Sequence, residues 1–192
     1  MNNKVNVGGV ECNGWRQFVE QLKPGNLVVL AGHSPAVMTD AVLELSSNVV
    51  REENVKVAYF SLAMSKNAIA YRIHELELDV NKLHMRIDCS AQRVSEIYFR
   101  TAELQKNYYI PLVVIDYLQL LLPDHECRHR KEAMAAISHD LKQLAREQEV
   151  ALLVLVQLNR LLPGTTEEVT PASLLREAEP ILFYSDAIMT LK

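Results

Sequence analysis

The aliphatic run Leu112-Val113-Val114-Ile115 ends on Asp116. An acid placed directly after a hydrophobic strand is how nucleotide-binding folds hold a magnesium ion and its water shell. It is equally how a strand end caps the turn that follows. Both readings stand on this segment alone. Other ends of hydrophobic runs carry Gly32-His33-Ser34-Pro35-Ala36-Val37-Met38-Thr39, Ser61-Leu62-Ala63-Met64 and Gln157-Leu158-Asn159-Arg160. Open α/β sheets bind ligands at such ends, where backbone N–H groups and side chains converge. A basic cluster, Arg128, His129, Arg130 and Lys131, precedes a strongly amphipathic segment. It reads as a solvated helix start, or as a seat for an anionic partner, because cations there oppose the helix dipole. The segment Asp124-His125-Glu126-Cys127-Arg128-His129 contains three potential metal ligands, but all come from one short loop with no second cluster, so they are expected to be loop residues and no metal site is expected. His33 is expected to be packed or exposed, with an anion contact as the alternative.

The elements that must position these groups follow from periodicity. Short β-rich runs predict strands at residues 27–31, 56–61, 84–88, 112–115, 150–156 and 187–191. Between them, apolar stripes of helical period predict helices at residues 39–51, 65–77, 90–107 and 131–148. The last carries Ala133, Ile137, Leu141, Leu144 and Ala145 on one face. Strand and helix alternate, which predicts an α/β domain with a mostly parallel central sheet and helices on both faces. The run at 150–156 is nearly all aliphatic, as a central strand covered on both sides must be. The longest expected loops are 122–130 and 161–173, and one domain over residues 1–192 accounts for the whole chain.

Composition narrows the function classes. With 49% hydrophobic residues, six Gly and seven Pro in 192 residues, the chain is a globular domain rather than a disordered or fibrous one. The net charge of −4 gives no global attraction to phosphates, so any nucleic-acid contact must be a local basic patch. Three scattered cysteines, Cys12, Cys89 and Cys127, fit reduced thiols. With no signal-peptide pattern and no apolar run of the ~18 residues a span needs, a cytoplasmic protein with no membrane contact is expected.

Five segments in order and spacing resemble the helicase domain of the DnaB replicative helicase family. They are Ala58-Tyr59-Phe60-Ser61-Leu62-x-Met64-Ser65, Val114-Ile115-Asp116-Tyr117-Leu118-Gln119-Leu120, Leu141-Lys142-x-Leu144-Ala145, Gln157-Leu158-Asn159-Arg160 and Leu175-Arg176-Glu177. The likeness runs from Gly9 to Lys192. It implies a RecA-like P-loop NTPase-type fold, with Asp116 as the Walker B acid and Gln157 as the sensor of the γ-phosphate. Its phosphate loop, G-x-x-x-x-G-K-[ST], falls on residues 32–39. There Gly32 and Thr39 match, while the second glycine is Val37 and the lysine is Met38.

These departures have physical consequences. A β-branched Val resists the backbone that Gly allows, and Pro35 removes an N–H from any anion cradle. Met38 supplies no charge to β- and γ-phosphate oxygens. The family's water-activating Glu is Ala63 here, and losing a general base typically costs ~10²–10⁴ in rate. The family's arginine finger, worth ~10³–10⁵ in other phosphoryl-transfer systems, falls beyond Lys192. Met38 and Ala63 are therefore expected to be ordinary packing residues.

For DNA, the resemblance implies two channel-facing loops. The first corresponds to residues 121–131 and keeps Arg128, Arg130 and Lys131; the second, 161–173, carries Glu167 and Glu168 and no cation. Arg176 and Glu177 match the family's DNA-contacting Leu-Arg-Glu, but the glycine two residues on is Glu179. Leu182, Phe183 and Tyr184 replace polar or acidic positions and are expected to pack inside, or else to form an apolar patch for a protein partner.

The expected function is that of a catalytically inactive DnaB-like domain, a pseudo-ATPase that binds a protein partner or itself in DNA replication or recombination and needs no cofactor. Two alternatives remain: an ATP- and magnesium-dependent helicase or recombinase-like ATPase with an atypical phosphate loop, and a nucleotide-independent single-stranded DNA-binding module.

Overall fold

The computed structural model describes residues 4–7, 10–13, 19–49, 55–79, 84–158 and 178–191. In chain order the elements are β1 (Lys4–Val7), β2 (Val10–Asn13), β3 (Leu27–Gly32), α1 (Pro35–Val49), β4 (Val55–Ser61), α2 (Lys66–Glu75), β5 (Met85–Asp88), α3 (Val94–Gln105), β6 (Tyr109–Asp116), α4 (Arg130–Glu147), β7 (Ala151–Gln157), α5 (Ile181–Tyr184) and β8 (Ala187–Leu191). Six strands form one sheet in the order β5-β4-β6-β7-β3-β8, every pairing parallel, and β1 and β2 form a separate antiparallel hairpin.

The aliphatic runs of β3 and β7 sit side by side near the middle, where both faces are covered. Alternate residues feed two cores. Leu27 and Val29 meet Ile97, Met134, Ile137 and Leu141 from α3 and α4, whereas Val28 and Leu30 meet Met38, Val42, Ile69 and Ile73 from α1 and α2. Each such side chain contributes about 1.5–3 kcal/mol by leaving water. Lys142, at a buried position of α4, donates to Asp186 Oδ2 (2.5 Å) and to the Gly25 carbonyl (2.9 Å), while Asp186 Oδ2 also accepts from the Leu27 N–H (2.7 Å). One ion pair thus ties α4 to the entries of β3 and β8.

Three predicted boundaries are corrected. The first helix starts at Pro35, not at residue 39. Proline is well suited to a first helical position because its missing N–H has no partner there in any case. The third helix starts at Val94 rather than at 90, because Asp88 Oδ1 accepts from the N–H groups of Ser90 and Ala91 and holds a turn ahead of it. Strand β6 begins at Tyr109 rather than 112 and accommodates Pro111 in an irregularity: Val55 pairs with Tyr109 and Val57 with Leu112, so β6 carries one extra residue. The β1–β2 hairpin and α5 were not predicted.

Candidate functional site

The ends of β3, β6 and β7 converge on one edge of the sheet. Register sets Gly32 beside Gln157 and Ser61 beside Asp116. Of the sequence-predicted residues, Gly32, Met38, Thr39, Asp116 and Gln157 all lie here. Thr39 Oγ1 donates to Asp116 Oδ2 at 2.8 Å, and the Tyr59 hydroxyl donates to the same oxygen at 2.7 Å. The backbone carbonyl of Asp116 accepts from the Leu62 N–H at 2.7 Å. Thr39, Tyr59 and Asp116 are all buried. Burial pushes the Asp116 carboxyl above its ordinary range, and the two hydroxyl donors pull it part of the way back. Burial, and then the charge of Asp116, hold the Tyr59 phenol well above its ordinary value of 10.0, so it stays a donor.

Residues 32–39 do not form an open loop. After Gly32 the chain makes one short connection and enters α1 at Pro35. The Met38 N–H donates to the Ser34 carbonyl at 3.2 Å, and the Val37 N–H reaches Ser34 Oγ at 3.5 Å. These N–H groups serve the helix start. The Met38 side chain is buried and lies over Gly32, where a Cβ would come within 3.0 Å of Met38 Cγ and 3.1 Å of Sδ. Gly32 is required for this close approach. His33 is exposed, and so is Ala63, two residues past the end of β4; the expectation of a packing residue holds for Met38 and not for Ala63.

Gln119 brings a contact that sequence reading missed. Its Nε2 donates to the Gln157 carbonyl (2.7 Å) and its Oε1 accepts from the Gln157 N–H (3.3 Å), so one side-chain amide clasps the last residue of β7 on both its backbone groups. Arg130 donates in turn to the carbonyls of Gln119 and, at 3.4 Å, Leu121. Lys131 pairs with Glu179 at 2.8 Å. Of the predicted basic loop, Arg128 remains an exposed cation, while Arg130 and Lys131 hold internal partners. His129 caps α4, its Nδ1 accepting from the Glu132 N–H at 3.1 Å. Arg176, Glu177 and the loop 161–173 lie outside the described residues. Tyr59 was also missed as a site residue; the available signal was a phenol inside an aliphatic strand, whose hydroxyl must find a partner when buried. In α5, Leu182 and Tyr184 pack against the core while Phe183 is 81% exposed, so the predicted apolar trio divides between the two readings.

Among the described residues no group of three or more His, Cys, Asp or Glu side chains is placed to hold a metal, and no helix is long and apolar enough to cross a membrane.

A six-stranded parallel sheet with helices on both faces, and with an acid-tipped β6 next to the strand bearing Gln157, defines a RecA-like fold of the P-loop class. Solved structures agree. The chain superposes on the structure described as "The Structure Of A DnaB-Like Replicative Helicase And Its Interactions With Primase" with a TM-score of 0.68 and 27% identity, covering 89% of this chain and 48% of that one. On a second solved structure, described as an ATPase domain, the TM-score is 0.69 with 25% identity, covering 88% of this chain and 70% of that one. The profile described as "DnaB-like helicase C terminal domain" matches residues 78–192, and this chain belongs to that family. The replicative DNA helicase DnaB of Geobacillus stearothermophilus is 27% identical over 193 residues, which is 86% of this chain and 42% of the relative. The chain thus spans less than half the length of that relative.

Proposed function

We propose that this DnaB-like domain is a non-catalytic pseudo-ATPase that serves as a binding or assembly protein in DNA replication or recombination, through a protein partner or self-association. The observation that carries the reading is Met38: its side chain lies over Gly32 and its N–H is hydrogen-bonded within the start of α1. A triphosphate needs the same backbone N–H groups and the same space, together with a lysine that residues 32–39 do not contain. The residues present therefore do not fit a nucleotide's phosphates. Thr39 and Asp116, which have the chemistry to hold a hydrated magnesium ion, share a hydrogen bond instead. With Ala63 in the position of the water-activating acid, no described side chain at this edge is placed as a general base beside a phosphate.

The enzyme reading draws on that same 2.8 Å contact, which keeps the hydroxyl and the carboxylate together at the strand ends. ATP turnover by the purified protein, compared with Asp116→Ala, separates the two. The pseudo-ATPase reading expects no turnover above background in either; turnover that Asp116→Ala abolishes contradicts it.

A further inference from the structure

Toward the opposite end of the sheet from Asp116, cationic side chains gather round one aromatic ring. Lys56 and Ala58 share a face of β4, and Ala58 pairs with Arg86 of β5, so Lys56 and Arg86 project from the same face of neighbouring strands. Both reach Tyr108, in the turn between α3 and β6. Lys56 Nζ lies 5.7 Å and the Arg86 guanidinium carbon 4.9 Å from the ring centroid, and Arg86 Nη2 donates to the Tyr108 hydroxyl at 2.7 Å. Lys56 Nζ also donates to His84 Nδ1 at 3.0 Å. An ammonium has no acceptor, so Nδ1 must accept, and the ring proton resides on Nε2.

Among the described residues, neither Lys56 nor Arg86 forms an ion pair with a carboxylate, although Arg72, Arg100, Lys106, Lys131 and Lys142 all do. Lys66, Arg93 and Arg128 likewise show no carboxylate partner there; what sets Lys56 and Arg86 apart is that two such cations meet on one ring, in a chain of net charge −4. The ring face offsets part of their mutual repulsion and fixes their positions. It leaves unused donors on the ammonium, the guanidinium and His84 Nε2, a set that matches the several acceptor oxygens of one phosphate group. Arg86 is exposed, and it also lines a groove between the edge strand β5 and α3, shared with Lys66, Asp88, Arg100 and Glu103, the last paired with Lys106. The Asp88 carboxylate in that groove is already held by Arg100, so it does not neutralise Arg86.

We propose that Lys56, His84 and Arg86, arranged about Tyr108, form a phosphate-binding seat at the β4–β5 edge, remote from the strand ends at Gly32 and Asp116 and from the basic loop at Arg128. It requires no nucleotide at Gly32–Thr39 and stands whether or not the pseudo-ATPase reading does. The phosphate is either free or part of a polynucleotide backbone, and two probes tell these apart.

Binding of inorganic pyrophosphate by calorimetry, and of a fluorescent single-stranded oligothymidine by anisotropy, is measured at low salt on the full chain. The variants are Arg86→Gln, the double variant Lys56→Gln/Arg86→Gln, and Arg128→Gln, with circular dichroism and thermal melting as folding checks; Arg86 is exposed, so its single variant preserves the core. The expected result is binding of at least one probe, weakened about tenfold or more by the double variant and unchanged by Arg128→Gln. Pyrophosphate binding identifies a free-phosphate seat. Oligonucleotide binding alone identifies a backbone contact, whose dependence of log K on log salt flattens by about 0.7 for each cation removed. Failure of both probes to bind, or binding that survives the double variant, overturns the proposal.

Discussion

Thr39 Oγ1 and Asp116 Oδ2 lie 2.8 Å apart, 77 residues distant in sequence, and the Tyr59 hydroxyl closes on the same oxygen at 2.7 Å. A carboxylate held by two neutral donors is a structural knot first, and its energetics are measurable. Tyr59→Phe removes one donor from a buried acid and is expected to cost about 1.5–3 kcal/mol in urea unfolding. A loss near zero would mean that the phenol does not support Asp116.

The same knot fixes the sign of a pH effect. Burial raises the Asp116 carboxyl above 3.8, so the folded state favours its protonated form. Its contribution to stability is fully present below the unfolded value and is lost as pH rises through the folded one. Asp116→Asn is therefore expected to gain stability relative to the parent as pH climbs out of the acid range, measured by urea unfolding across a pH series. A gap independent of pH contradicts this.

Asp88 behaves in the opposite way. Burial opposes its ionisation, but the Ser90 N–H, the Arg100 guanidinium, Ser90 Oγ and the Ala91 N–H outweigh it and hold the carboxyl at about 2. Its stabilisation is complete above 3.8 and is lost as pH falls through about 2. Asp88→Asn is expected to cost about 1–2 kcal/mol near neutrality, allowing for solvent screening of a partly exposed pair. The cost should vanish in strong acid.

Met38 is expected to act as core. Met38→Ala should cost about 2–5 kcal/mol, the range for emptying a buried site of this size. A near-neutral effect on the denaturation midpoint would mean that the side chain does not fill the space over Gly32.

Gln119 positions the end of β7. Gln119→Ala leaves the Gln157 N–H and carbonyl without their side-chain partner, so amide exchange at Gln157 should accelerate while exchange at Val154, inside the β6–β7 ladder, stays slow. Equal rates in parent and variant would show that the clasp carries no weight.

Much of the sheet was legible because β3 and β7 are aliphatic on both faces, a pattern that only a covered parallel strand demands. The stripe of α4 was equally plain, since Ala133, Ile137, Leu141, Leu144 and Ala145 recur at helical spacing. The start of α1 was misplaced because residue 39 was read from the apolar stripe alone, without the helix-opening residues ahead of it. Ser34-Pro35 is nonetheless a good helix opening, and that local signal prevailed. The β1–β2 hairpin had a readable signal too, Gly8-Gly9 between Val7 and Val10. Gln119 was not legible as a site residue and Tyr59 only as a phenol in need of some partner, because their partners lie 38 and 57 positions away and only the folded register brings them together.

The most direct test of a phosphate loop closed by Met38 is a titration of the purified chain with a fluorescent ATP analogue and magnesium. The pseudo-ATPase account predicts no saturable binding. Saturation at micromolar analogue, released by excess ATP, would contradict it.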